Sequence, residues 1–344
     1  MKHEAFVTYD EIITQTKAWM AAIRVVKDNT DHIENLNLNS YRQVLFIGCG
    51  STYYLSLAAA PLFQSLTGVV ARALPSSELL LFPENVYANG RVLLIAISRS
   101  GTTSETLRAV ENFKAGYDCH VIVITNHSDS PLSKLGDIRL VINEGQERSV
   151  AQTRSFASML VAVTAMSARL GSQDFDSSKD TLENTGNQLI ENHQRWAEEY
   201  GSNHQINQVF FLGSGMRYGL ASEVSLKLKE MSQTVTEPFH FLEFRHGPIS
   251  MVDGHTLVVG MMSETAFEQE MEVIKDVQRL GVKTITIGEK DSDIEFKSGL
   301  SENTKGVLYL PVLQLFAYYR AVGSGKNPDK PRHLTAVVKL DLEK

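Results

Sequence analysis

A chain of 344 residues with 43% hydrophobic and 21% charged residues is long enough for two cores of ordinary size and far from disordered or fibrous compositions. Its net charge of -7 argues against a nucleic-acid binder, which needs a basic face to displace counterions, but not against a protein that cradles one small anion on backbone N–H groups. Cys49 and Cys119 are too few for a disulfide framework and lack zinc-site spacing, and no apolar run has leader or membrane length, so a cytoplasmic protein without metal or cofactor is expected.

Residues 9–35 carry Ile12, Ile13, Trp19, Ile23 and Val26 at helical spacing, which predicts an opening helix. Short β-branched runs follow at 44–48 (VLFIG), 92–97 (VLLIAI), 120–125 (HVIVIT) and 138–142 (IRLVI), separated by stretches that can hold helices. This is the pattern of buried parallel strands with helical crossovers. The first run ends in GCGST (48–52). A glycine-rich strand-to-helix turn exposes N–H groups at the positive end of a helix, and Ser51 and Thr52 add hydroxyls, which suits a phosphate; the plain alternative is glycine for close packing. The second run ends in SRSGTTSET (98–106), with more hydroxyls than the single one a helix cap requires. A hydroxyl-lined anion nest is the better reading. Neither segment matches a P-loop or a dinucleotide fingerprint, so no nucleotide cofactor is expected. ERSVAQTRSF (147–156) leads into a long helical run whose polar first turn can close over the same ligand, with Arg154 either a phosphate partner or a surface charge.

A polar stretch at 171–187 divides the chain into expected domains 1–185 and 186–344. Beyond it the strand pattern returns at 208–215, 256–262, 283–288 and 307–312, and the chain reads as duplicated. Gly48 and Gly50 correspond to Gly213 and Gly215 (213 - 48 = 165), and Ser98 to Ser263 by the same shift. The second copy of the hydroxyl loop reads SETAFE, without the glycine, so one phosphate site per chain is predicted. In the helical run LASEVSLKLKE (220–230), Glu223, Lys227 and Glu230 share one face at i, i+4 and i+7. They read equally as a solvated salt-bridged stripe or as a buried acid/base set, since Leu220, Val224, Leu226, Leu228 and Met231 leave little polar circumference. FLEFRHGPISMV (241–252) sets His246 in a turn stiffened by Gly247-Pro248, the rigid placement an acid/base residue needs.

KLKE (227–230) followed by the histidine of EFRHGP (243–248), together with SRSGTT and VAQTRSF, resembles the sugar isomerase (SIS) domain family, over nearly the whole chain. The chain is similar in particular to double-SIS proteins such as the isomerase half of glucosamine-6-phosphate synthase. The resemblance implies an α/β fold of two tandem SIS domains, each a mainly parallel, flavodoxin-like sheet between helices. It implies a phosphosugar set of Gly50, Ser51, Thr52, Ser98, Arg99, Ser100 and Thr103, with Val150 and Gln152 lining the same site. It makes Glu230 the base that moves a proton between C1 and C2, His246 the group that opens the sugar ring, and Glu223 and Lys227 supporting charges. It also implies a homodimer, with His246 serving the neighbouring subunit's site.

Two departures bear on the activity. No glutamine-hydrolysing domain like that of the synthases is expected here, so the relatives to weigh are amino-sugar-phosphate deaminases, ketose/aldose isomerases and deglycases of sugar–amino acid adducts. The family's Schiff-base lysine would fall at Ala336, which puts an imine route in doubt unless Lys330 or Lys339 takes the role. The leading expectation is a hexosamine 6-phosphate deaminase/isomerase that releases ammonia; the alternatives are a fructosamine 6-phosphate deglycase and a non-catalytic sugar-phosphate sensor.

Overall fold

The computed structural model describes residues 6–86, 90–338 and 340. Among them, ten strands form two five-stranded sheets. The first contains β1 (Gln43–Gly48), β2 (Ala71–Pro75), β3 (Val92–Ile97), β4 (Cys119–Thr125) and β5 (Ile138–Val141), in the order β2-β1-β3-β4-β5. The second contains β6 (Gln208–Gly213), β7 (Val235–Phe239), β8 (Thr256–Met261), β9 (Lys283–Gly288) and β10 (Ile294–Glu295), in the order β10-β9-β8-β6-β7. Every pairing is parallel. Strand for strand, the second order is the first repeated, 2-1-3-4-5, the doubly wound arrangement whose order reverses between its first and third strands.

The inner strands follow from composition. β1, β3 and β8 are buried at every position, so their continuous apolar runs are what a strand covered on both faces requires. The edge strands β2 and β7 are largely half-exposed, are interrupted by Arg72 and by Thr236-Glu237, and gave no such run; Pro238 is tolerated in β7 because an edge leaves its missing N–H without consequence. The run at 307–312, expected as a strand, is instead the end of a 3-10 turn, Lys305–Tyr309, and the start of helix Leu310–Gly323. Pro311 sits in the first turn of that helix, where its absent N–H costs nothing, and an apolar run of this length reads alike as strand or buried helix. The expected opening helix is three segments, Val7–Ile13, Gln15–Asp28 and Thr30–Glu34.

The duplication extends to backbone detail. Helices Ser51–Thr67 and Met216–Ser232 start and end at the same shift (216 - 51 = 165; 232 - 67 = 165). Gly50 and Gly215 before them take φ/ψ of 56/-124 and 59/-133, a region open to glycine. A Cβ on Gly48 would lie 2.4 Å from the Thr52 carbonyl carbon, and one on Gly213 would lie 2.5 Å from the Arg217 carbonyl oxygen. Each glycine lets its helix pack hard against the strand that feeds it.

The chain divides into two compact units, and it passes between them more than once. One, built on the first sheet, takes residues 17–147, 154–179 and 335–344; the other, built on the second, takes 1–16, 148–153 and 180–334. The division expected at 185/186 falls inside helix Lys179–Gly201. Segment 148–153 joins the second-sheet unit through buried Glu11, whose carboxylate accepts from Arg148 N at 2.7 Å and Ser149 Oγ at 2.5 Å. Val150 N donates to Asp329 O at 3.0 Å. Asp329 in turn accepts Val7 N, Thr8 N and Thr8 Oγ1 at 3.0, 2.8 and 2.6 Å, holding the exposed N–H groups of helix Val7–Ile13 as a cap does.

Candidate active site

In the first-sheet unit the loops after β1 and β3 lie at the carboxyl ends of neighbouring strands where the strand order reverses, the place where ligands bind in sheets of this kind. Ser51 and Thr52 open helix Ser51–Thr67 and are buried. The Thr52 hydroxyl is committed to the turn: it accepts from Cys49 N at 2.9 Å and donates to Cys49 O at 3.0 Å. The second loop is held just as firmly. Gly101 N donates to Ser98 Oγ at 3.1 Å, Ser98 Oγ lies 3.4 Å from Thr103 Oγ1, and Thr102 donates to Ser100 Oγ from its N at 3.2 Å and from its Oγ1 at 3.0 Å. Gly101 has φ +61, and a Cβ there would come within 2.1 Å of Ser130 Oγ, so only glycine fits. The sequence thus brings Ser98, Ser100 and Thr103 into one preorganised turn ahead of helix Ser104–Gly116.

Arg99, in the same loop, is drawn into a buried ion pair. It is 8% exposed, its Nη1 lies 3.5 Å from the fully buried Glu147 carboxylate, and its Nη2 donates to Ala336 O at 3.2 Å. Glu147 also accepts from Ser155 Oγ. The tail is tied to the same loop a second time, where Leu340 N donates to Ser104 Oγ at 3.2 Å. Sequence reasoning did not single out Glu147, since an acidic residue in a polar loop carries no signal of its own. Lys339 lies outside the described residues, and Lys330 is exposed and belongs to the second-sheet unit.

Val150 and Gln152, expected to line the phosphosugar site, are half-buried in segment 148–153 of the second-sheet unit. That unit also carries the expected acid/base residues. Helix Met216–Ser232 packs against β6, β7 and helix Leu310–Gly323 and is buried around most of its surface. Glu223 and Lys227 are each 1% exposed and Glu230 is 19% exposed, so the shared face is an interior one. Lys227 Nζ lies 3.4 Å from Glu223 Oε1 and donates to Glu230 Oε2. The result is a carboxylate–ammonium–carboxylate chain along one helix face, with its outer carboxylate the most exposed of the three.

His246 stands on the loop after β7. Phe241 and Phe244 are fully buried in the second core, while His246 is exposed, with its N donating to Glu243 O at 3.0 Å. Gly247 takes φ +131, a value that strains any side chain. Leu242 and Met251, on the same loop, are 50% and 52% exposed. The rings of Tyr218 and His240 stack at 4.0 Å and 14° at the start of this loop.

The copy of the hydroxyl loop in the second sheet has become a different environment. Ser263 N donates to Glu270 Oε2 at 2.6 Å. Glu264 and Glu289 lie 2.5 and 3.1 Å from buried Lys305, and Arg217 pairs with Glu302. A cavity of about 420 Å³ there is lined by Ser263, Thr265, Glu264, Glu268, Glu289, Asp291 and Lys290, a predominantly acidic set. Among the described residues, no cluster of three or more His, Cys, Asp or Glu could hold a metal ion, and no helix is long and apolar enough to cross a membrane.

The SIS domain profile matches residues 37–169 and 204–312. The chain is 28% identical, over 92% of its length, to the glutamine–fructose-6-phosphate aminotransferase (isomerizing) of Caldanaerobacter subterraneus, and spans 56% of that protein; it covers little more than half the length of the curated relatives it matches. Among solved structures, glucosamine-6-phosphate deaminase from Thermotoga maritima superposes with a TM-score of 0.79 at 27% identity, over 93% of this chain and 100% of that one. Tagatose-6-phosphate ketose/aldose isomerase from Escherichia coli superposes with a TM-score of 0.84 at 24% identity, over 96% of both chains; at that identity it attests the fold.

Proposed function

The chain belongs to the SIS domain family, and from that premise we propose that it is a hexosamine 6-phosphate deaminase/isomerase, converting a 2-amino-2-deoxyhexose 6-phosphate to a ketose 6-phosphate and ammonia. What carries the reading is the Glu223–Lys227–Glu230 chain, because its outer carboxylate is 19% exposed and its other two charges are 1% exposed. A carboxylate fixed by a buried ammonium has one orientation, and orientation is what proton transfer at carbon demands. In this mechanism the hydroxyl turn at Ser98–Thr103, with Ser51, holds the phosphate, while Thr52 keeps the Cys49 turn in shape. His246 moves the ring proton that opens the sugar. Glu230 takes the proton from C2 and returns it to C1, leaving an imine at C2, and water adds there to expel ammonia. The similarity to a deaminase along its full length supports the substrate class.

The test is ammonia release from a panel of hexosamine 6-phosphates. Glu230→Gln should cut turnover by about 10²–10⁴-fold, the usual worth of one general acid/base, with phosphosugar still raising the Tm. Undiminished turnover in that variant removes the mechanism. A second reading, a deglycase that releases an amino acid from a fructosamine-type 6-phosphate, is favoured by Ala336, which offers no amine where the family's lysine would fall. Free amino acid without ammonia on the same panel would select it. A homodimer fits the exposed Leu242 and Met251 beside His246; sedimentation at the monomer mass would refute it.

A further inference from the structure

The His246 loop is fixed to the protein on one side of the histidine by a contact the mechanism above does not use. Arg245 Nε and Nη2 both reach Asp276 Oδ2, at 2.7 and 2.6 Å, while Asp276 Oδ1 lies 2.7 Å from Arg279 Nη1. Asp276 belongs to helix Phe267–Arg279, whose Val273, Ile274 and Val277 are fully buried in the second core, so its carboxylate is presented by a rigid element. Past Phe244 the loop leaves the core, and His246, Gly247 and Ser250 are exposed. Among the described residues, the His246 ring has no hydrogen bond of its own. Its placement therefore depends on the backbone at 245–247.

Resting on the reading of His246 as the ring-opening group, we propose that Asp276 is a positioning residue, which fixes the His246 imidazole by gripping Arg245. Two donors of one planar guanidinium converging on a single carboxylate oxygen set the direction of the side chain as well as its distance, which a lysine at 245 would not do. An exposed histidine without this grip samples several rotamers on a moving backbone, and a displacement of 1 Å at a reacting group costs up to about 10²-fold in rate. Because both partners are about a third exposed (33% and 30%), their pairing contributes little to overall stability. The latch is a matter of placement.

The experiment compares Asp276→Ala, Asp276→Glu and His246→Ala by backbone amide order parameters and by kinetics on a C2-deuterated hexosamine 6-phosphate. In Asp276→Ala the order parameters at 245–247 should fall from about 0.85 to below about 0.6, with the apparent Tm shifted by no more than a few degrees. Its kcat should drop about tenfold, inside the 10²-fold bound, with KM within about twofold. The C2 isotope effect should fall toward unity as ring opening becomes the slow step, and Asp276→Glu should restore most of the rate. Unchanged order parameters overturn the latch whatever the chain catalyses. Lost order with an unchanged kcat and isotope effect, beside a crippled His246→Ala, overturns the positioning role. A fully active His246→Ala also overturns the proposal, leaving the deaminase reading intact. If the wild-type protein turns over no hexosamine 6-phosphate, that reading fails and the order parameters alone decide the latch.

Discussion

Replacing Lys227 with methionine tests whether the charged chain on helix Met216–Ser232 is held together as its geometry says. Methionine matches the length of the lysine stem and removes only the ammonium, which sits 1% exposed between Glu223 at 3.4 Å and Glu230. Glu223 is itself 1% exposed, so the variant leaves its carboxylate buried without the lysine. Removing one partner of a buried ion pair typically costs about 3–5 kcal/mol. Replacing both partners by neutral groups of similar volume is close to neutral, so Glu223→Gln in the Lys227→Met background should recover more than half of that loss. Urea unfolding of wild type, both single variants and the double variant gives the coupling directly. Activity should stay low in the double variant, because Glu230 has lost the group that orients it. If Lys227→Met costs under about 1 kcal/mol, the level of an exposed pair, the triad is a solvated stripe and the argument for Glu230 falls with it.

Gly48→Ala and Gly213→Ala should each destabilise by about 1–3 kcal/mol, since each added Cβ meets backbone at 2.4 or 2.5 Å; a neutral result at either position in urea melts would show that the copies differ in helix packing. Burial, ahead of the Ser263 amide and Arg217 that oppose it, pushes the Glu270 carboxyl above its ordinary value of 4.5. A group raised on folding favours the native state below its unfolded value and withdraws that support as pH rises through the folded one. Glu270→Gln should therefore gain stability relative to wild type between about pH 4 and pH 7, and a pH-independent difference in urea midpoints would contradict this. Asp329→Ala, which removes three hydrogen bonds to Val7 and Thr8, should cost about 1–3 kcal/mol and speed amide exchange in helix Val7–Ile13, unless those amides are exchanging freely in the wild type.

The central strands were legible because burial on both faces forces continuous runs such as VLLIAI, and the strand-to-helix glycines because a shift of 165 recurs at both. β2 and β7 were not, because an edge strand has little to bury and so little pattern to show. The face shared by Glu223, Lys227 and Glu230 could be read from helical spacing. Its burial could not, since that depends on helix Leu310–Gly323, some eighty residues further on and part of a segment whose beginning reads as a strand. Segment 148–153 looked like the start of the helix it precedes; its place in the second-sheet unit is decided by Glu11 and Asp329, partners that no local pattern announces. Arg99 follows the same rule, because its partners Glu147 and Ala336 are distant in sequence.

The grip of Asp329 on Val7 spans 322 positions of chain, and within that span Gln15 bonds to Gln314 across 299. A nascent chain emerging from the ribosome can complete β1 to β5 long before residue 329 exists. The first turn of helix Val7–Ile13 must wait uncapped through all of that time, and its capping by Asp329 is a late event that closes a very long loop. Slow translation near the codon for Asp329 would prolong the interval in which that helix is open to proteases and chaperones.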